Sequence, residues 1–268
     1  MAQIRAPHAG TASRRSAERP LLSRDDVVLS FVCVGVAAGA NLLGGAFVAL
    51  RHRDWNDRVL RYFVALGAGF MLAAVLLKMI PEAARLVSNA TTLVLAGYLL
   101  IHLFEHTVAP HFHFGEETHP ERLSPTAGVS ALFALMVHSF FDGISIGSGF
   151  LIDRTLGVLL FTAIVLHKVP EGFAISSVVL AAHGTPRQAM LAAFAVGIAS
   201  VVGGLSIFGA PGLVGPALAL SGGVTLYVAA SDLVPEVNRE EGHWIALTVF
   251  AGVLLYWLTE RALEATGV

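Results

Sequence analysis

Two six-residue segments decide how this sequence is interpreted: HSFFDG at residues 138–143 and HKVPEG at residues 167–172. Both have a histidine, three intervening residues, an acid and a glycine, and both interrupt a long apolar stretch. In a helix, residues four apart lie on the same face. We therefore expect each segment to present an imidazole and a carboxylate together, His138 with Asp142 and His167 with Glu171.

The composition is that of an integral membrane protein. The chain has 268 residues, of which 55% are hydrophobic and 13% charged, with a mean hydropathy of +0.72. A soluble domain carries about 25% charged residues. Apolar runs long enough to span a bilayer lie at about 26–50, 60–80, 90–109, 127–151, 155–182, 188–208, 211–235 and 242–264. We predict an all-α membrane protein with eight transmembrane helices, numbered helix 1 to helix 8 in this order.

Other bulk features exclude several classes of function. The net charge of -2 and the lack of a basic cluster argue against a nucleic-acid partner. The only cysteine, Cys33, lies in an apolar run, which excludes a disulfide within the chain and a cysteine-based metal cluster.

Ionisable groups in the hydrocarbon core are costly, about 2.5–3.5 kcal/mol each on insertion scales, and need a compensating partner. A divalent cation would compensate the two paired inserts, because carboxylates cancel its charge and neutral imidazoles donate lone pairs. That ligand mixture suits zinc, ferrous iron or manganese. The alternative is that each histidine only satisfies a buried acid by hydrogen bonding. Finding the same pair twice favours the metal site.

The predicted membrane domain covers residues 26–268, including a histidine-bearing loop, and residues 1–25 precede it. Residues 1–25 are rich in Arg and Ser and are expected to be disordered, either as an organelle transit peptide or as the tail of a bacterial protein. A loop at about 110–125 carries His111, His113 and His119. Such a tract can bind metal weakly, or it is an ordinary hydrated loop.

Helices 2 and 7 end alike, with MIPE at 79–82 and LVPE at 233–236. Aligning these ends places Lys78 opposite Asp232. An inverted two-fold that repeats helices 1–3 as helices 6–8 would map helix 2 onto helix 7 and helix 4 onto helix 5. The alternative is chance similarity of two short Pro-Glu ends.

HSFFDGISIG at 138–147 and HKVPEGFAIS at 167–176 resemble the metal-binding signatures of the ZIP family, the Zrt/Irt-like metal transporters. The Pro-Glu ends of helices 2 and 7 and the histidine-bearing loop agree in order and position. The resemblance implies eight helices arranged 3+2+3, both termini on the extracytoplasmic side, and a homodimer. It also implies a multi-pass protein of the cell inner or plasma membrane.

The resemblance also implies roles for individual residues. The ligands of the transported ion would be His138, Asp142, His167, Glu171 and, from helix 2, Met71. The positions that hold a second metal in the family are occupied here by Ser139, Lys168 and Ser200, which puts a binuclear site in doubt. Lys168 would either stand beside the acids as a fixed positive charge or extend towards a helix end.

We therefore expect a transporter that moves divalent metal into the cytoplasm, zinc first and iron, manganese or cadmium as alternatives. It would not be an enzyme and would need no cofactor. Asp232 and Glu236 would help the ion to leave. An intramembrane zinc-dependent hydrolase is the competing function, although the H-E-x-x-H motif of many metalloproteases is absent. A metal-sensing or purely structural role in the membrane is the third possible function.

Overall fold

A computed structural model describes residues 24–50, 57–107, 125–238 and 243–266, and these residues form helices without any strand. Helices 1, 3, 4, 5, 6 and 8 span Arg24–Leu50, Ala90–Thr107, Pro125–Ile152, Arg154–Ala181, Pro186–Phe208 and His243–Thr266. Helix 2 joins Asp57–Ala74, Val75–Met79 and Ile80–Leu86. Helix 7 joins Pro211–Leu213, Val214–Tyr227, Val228–Leu233 and Val234–Asn238. The tail at residues 1–23 and the loop at residues 108–124 lie outside the described residues.

Seven of these helices are long and apolar enough to cross a membrane. Helix 3 is not among them: it has 18 residues and carries His102, Glu105 and His106 in its second half. It nevertheless packs along helix 7 and turns Leu95, Leu99 and Leu103 outward. The prediction of an all-α, multi-pass membrane protein is confirmed.

Helices 2 and 7 each contain a π-helical segment, Val75–Met79 and Val228–Leu233. Pro81 and Pro235 follow these segments by two residues. A proline has no backbone N–H to donate within the helix, and a widened turn is one way for the chain to accommodate that loss. The matching positions of the two segments support the predicted repeat.

The packing of the helices follows the same two-fold. Helix 1 lies against helix 5, and its counterpart helix 6 lies against helix 4. Helix 2 packs on helix 8, as helix 7 packs on helix 3. Helices 4 and 5 contact each other at the centre, and each also meets one of the two π-containing helices, 7 and 2 respectively.

Two glycines allow the outer helices to approach helices 4 and 5. A Cβ atom at Gly143 would overlap the carbonyl oxygen of Ser200, and one at Gly172 would overlap the carbonyl oxygen of Asn41. Because Gly143 follows Asp142 and Gly172 follows Glu171, helices 6 and 1 lie directly beside the two acidic positions. The two contacts are equivalent under the two-fold.

Helices 4 and 5 are joined by the single residue Asp153, whose carboxylate accepts hydrogen bonds from the N–H groups of Thr155 (2.8 Å) and Leu156 (3.4 Å). This cap starts helix 5 immediately after helix 4 ends. At a rise of about 1.5 Å per residue, both polar inserts then lie about 17–27 Å from this connection. They therefore face each other near the middle of the two helices.

Candidate metal site

The four predicted ligands come together between helices 4 and 5. One ligand atom from each of His138, Asp142, His167 and Glu171 lies within 4.8 Å of the other three, and all four side chains are buried. Within each helix the histidine stands one turn before the acid, as the four-residue spacing predicts. The antiparallel contact of the helices then brings the two pairs into one group.

The Oδ2 atom of Asp142 is the centre of this group. It lies 3.1 Å from Nε2 of His138 and 3.3 Å from Nε2 of His167. His167 Nε2 is also 3.9 Å from Oε2 of Glu171. Two nitrogens and two carboxylates therefore surround one small volume, which is the donor set that borderline divalent metals prefer.

A backbone contact orients His167 for this role. Its Nδ1 lies 3.1 Å from the carbonyl oxygen of Ala163, which can only accept a hydrogen bond. A protonated ring would donate from both nitrogens, whereas in the neutral ring Nδ1 carries the proton and Nε2 presents its lone pair to the carboxylate of Asp142. Two lone pairs facing each other repel unless a cation stands between them. The geometry thus creates a site for positive charge.

Lys168 supplies positive charge to the same acids. Its Nζ lies 2.7 Å from Asp142 Oδ2 and 2.5 Å from Glu171 Oε2, and it donates a hydrogen bond to Ser139 Oγ at 2.6 Å. Ser139 in turn donates to Glu171 Oε1. Lys168 is completely buried, so its side chain points into the bundle and not towards a helix end.

The other two residues implied by the resemblance flank this group. Met71 is buried in an apolar cluster that includes Leu159 and Ala163, and the carbonyl oxygen of Ala163 contacts the ring of His167. Ser200 is buried on helix 6, where its carbonyl contacts helix 4 at Gly143. Within the described part of the chain, its hydroxyl makes no hydrogen bond.

The structure places Asp232 apart from the four ligands, in the π-helical segment of helix 7. Its side chain is 5% exposed, and Oδ2 has no hydrogen-bond partner among the described residues. Glu105 of helix 3 lies close enough to interact electrostatically with it. The side chain of Glu236 and the loop residues His111, His113 and His119 lie outside the described residues.

Asn41 was not among the predicted site residues. The structure places its buried side chain on helix 1 beside Gly172, with Oδ1 within 2.9 Å of where a Cβ of that glycine would lie. A sequence signal was available: NLLGG at 41–45 and SVVGG at 200–204 share a polar residue, two apolar residues and two glycines. Aligning them would have paired Asn41 with Ser200.

Comparison with known proteins finds a matching family. The family model described as ZIP zinc transporter matches residues 113–258, which is more than half of the chain and includes both polar inserts. The chain belongs to the ZIP family. As a member, it is a transporter of divalent metal and not an enzyme, which excludes the hydrolase alternative.

Two curated relatives cover most of this chain, and a third covers about half of it. A zinc transporter named ZupT from Nitratidesulfovibrio vulgaris is 28% identical over 270 residues, spanning 87% of this chain and 96% of the relative. ZupT of Chlorobium chlorochromatii is 24% identical over 258 residues, spanning 86% and 96%. The human zinc transporter SLC39A7 is 28% identical over 140 residues, spanning 48% of this chain and 30% of that protein.

Proposed function

We propose that this ZIP protein carries zinc across the membrane into the cytoplasm, one ion at a time, through a site formed by His138, Asp142, His167 and Glu171. The observation that carries the proposal is the convergence of two imidazole nitrogens on Asp142 Oδ2, at 3.1 and 3.3 Å. Ligands that are about 2.0–2.2 Å from a tetrahedral zinc ion are about 3.3–3.5 Å from each other. Both nitrogen–oxygen distances are already close to that separation.

Zinc is the metal that the donor set and the relatives favour. Two imidazoles and two carboxylates suit a borderline ion, and the relatives described above carry the name zinc transporter. Iron, manganese and cadmium accept similar ligands and are the competing substrates. Met71 of helix 2 is proposed as a further ligand when the site rearranges during transport.

The charges of the site support a single ion. Asp142 and Glu171 together carry two negative charges, and Lys168 contacts both carboxylates. Ser139 and Ser200 offer hydroxyls where the resemblance would place stronger ligands of a second metal. A second dication would have to bind near a buried ammonium, so we infer that the site holds one transported ion.

The direction and the release path rest on the resemblance. With both termini outside, helix 7 ends at the cytoplasmic side, and Asp232 and Glu236 lie along the way out. His111, His113 and His119 would receive the ion in the loop between helices 3 and 4. A homodimer in the cell inner or plasma membrane completes the proposal.

Zinc uptake into proteoliposomes tests the proposed ligands. Asp142→Asn combined with Glu171→Gln keeps the shape of both side chains but removes the anionic ligands, and we expect loss of most uptake and of zinc binding. Glu264→Gln, an exposed acid of helix 8, is the control and should transport normally. Normal uptake by the double variant would place the site elsewhere.

A further variant distinguishes loss of zinc binding from misfolding. The double variant leaves Lys168 buried without an anion, which is destabilising. Adding Lys168→Met removes all three charges, and this triple variant should elute as a folded protein in size-exclusion chromatography while binding no zinc. Zinc bound by a folded triple variant would contradict the proposal directly.

A further inference from the structure

Asn41 is a buried amide without a hydrogen-bond partner among the described residues. Its side chain is 0% exposed, and neither Oδ1 nor Nδ2 makes a hydrogen bond. Leaving a buried polar group unpaired is destabilising, and buried amides in folded proteins nearly always have a partner. Because Asn41 lacks a hydrogen-bond partner in this conformation of the protein, we expect it to gain one in another conformation.

The position of Asn41 indicates which partner that is. Helix 1 contacts helix 5 at Gly172, and the amide oxygen of Asn41 lies on that surface. Lys168 precedes Gly172 by four residues, so both lie on one face of helix 5, about 6 Å apart along its axis. An extended lysine side chain covers that length. The Asn41 oxygen is therefore a neutral acceptor within reach of the Lys168 ammonium.

Metal binding would force Lys168 to move. The ammonium is 2.7 Å from Asp142 Oδ2, the same oxygen that both histidine nitrogens approach. A divalent ion bound to that oxygen would replace the attraction felt by the ammonium with a strong repulsion at short range. The ammonium would then have to leave the carboxylates, and in a membrane interior it cannot do so without another acceptor.

We propose that Asn41 is the acceptor to which the Lys168 ammonium moves when metal binds. This inference rests on the proposed function and adds a positioning residue to it. Asn41 does not touch the ion; it lowers the free-energy cost of displacing Lys168. Ser200, its counterpart under the two-fold, occupies the equivalent place beside helix 4, which holds Ser139 where helix 5 holds Lys168.

A double-mutant cycle on zinc affinity tests the proposal in purified full-length protein. Asn41→Leu removes the acceptor but keeps the size of the side chain, and we expect zinc affinity to fall at least tenfold. In the Lys168→Met background no ammonium has to move, so Asn41→Leu should change the affinity less than twofold. Asn41→Gln, which restores an amide, should recover part of the loss.

Ser30→Ala provides the matched control. Ser30 also lies on helix 1, is fully buried and has no hydrogen-bond partner among the described residues, but it is eleven residues from Asn41. Its replacement should leave zinc affinity unchanged. Asn41→Leu acting equally with and without Lys168, or having no effect at all, would overturn the role of Asn41.

Failure of this inference can be separated from failure of the proposed site. If Asp142→Asn with Glu171→Gln abolishes zinc binding while the effects of Asn41→Leu and Lys168→Met are additive, the metal site stands and only the acceptor is wrong. If the double acid variant binds zinc as the native protein does, both are wrong.

Discussion

Replacing Lys168 by methionine should make zinc bind more tightly. The ammonium lies 2.7 Å from Asp142 Oδ2 and 2.5 Å from Glu171 Oε2, in a completely buried position. Removing one member of such a group leaves buried charge uncompensated, at a cost of about 3–5 kcal/mol. That cost falls on the metal-free protein alone, because a bound dication compensates both carboxylates.

The cost translates directly into affinity. At about 1.4 kcal/mol per factor of ten, the lower figure of about 3 kcal/mol corresponds to roughly 100-fold tighter zinc binding. The thermal stability of the metal-free Lys168→Met protein should fall, and added zinc should raise it by more than in the native chain. Release slows as binding tightens, so the maximal rate of uptake should decrease.

Competition titration with a chromophoric chelator measures the affinity, and thermal unfolding with and without zinc measures the stabilisation. Lys78→Met is the matched control, since Lys78 is the only other lysine and its partner Glu260 lies 3.1 Å away in a partly exposed pair. It should leave zinc affinity unchanged. Native or weaker affinity in Lys168→Met would refute the assignment of Lys168 as the built-in counter-cation.

Two more predictions concern the second-metal positions and the histidine-bearing loop. Lys168→Asp combined with Ser139→Asn exchanges a cation for metal ligands and should raise the bound zinc from one ion to two per chain. Elemental analysis of the purified protein counts the ions. Two ions in the native chain, or one in the variant, would contradict the prediction. Deleting His111–His119 should slow zinc uptake without abolishing it, because the proposed ligands lie on helices 4 and 5. Complete loss of zinc uptake in a normally inserted protein would show that the proposed ligands are misplaced.

Much of the fold could be predicted because the membrane imposes it. Apolar runs near 20 residues must form helices in lipid, where every backbone polar group needs an internal partner. The repeat was visible in the Pro-Glu ends of helices 2 and 7. Helix 3 was predicted at about 90–109 and is present at Ala90–Thr107, but His102, Glu105 and His106 make its second half polar and it is not among the seven apolar spans.

The site could be predicted only in part. A spacing of four residues fixes which side chains share a face, and that was enough to pair each histidine with an acid. It does not fix how a helix is rotated against its neighbours, so the direction of the Lys168 side chain stayed open. Asn41 was overlooked although NLLGG at 41–45 matches SVVGG at 200–204, and its packing beside Gly172 of helix 5 became visible only in the structure.

The two-fold gives the two halves of the bundle similar paths to the central site, so any difference in how these paths bind a cation must come from positions where the repeats differ. Lys78 of helix 2 and Asp232 of helix 7 are one such pair of positions, and they carry opposite charges. Lys78 pairs with Glu260 of helix 8 at 3.1 Å, and the combined charge of that pair is zero. Asp232 has Glu105 of helix 3 as its electrostatic neighbour. If the ion leaves past Asp232, as proposed above, it would meet two acids on that path, where the other half of the bundle has a neutral pair. Two acids stabilise a cation better than a neutral pair does, so the helix 7 path is the one that we expect to bind the leaving ion.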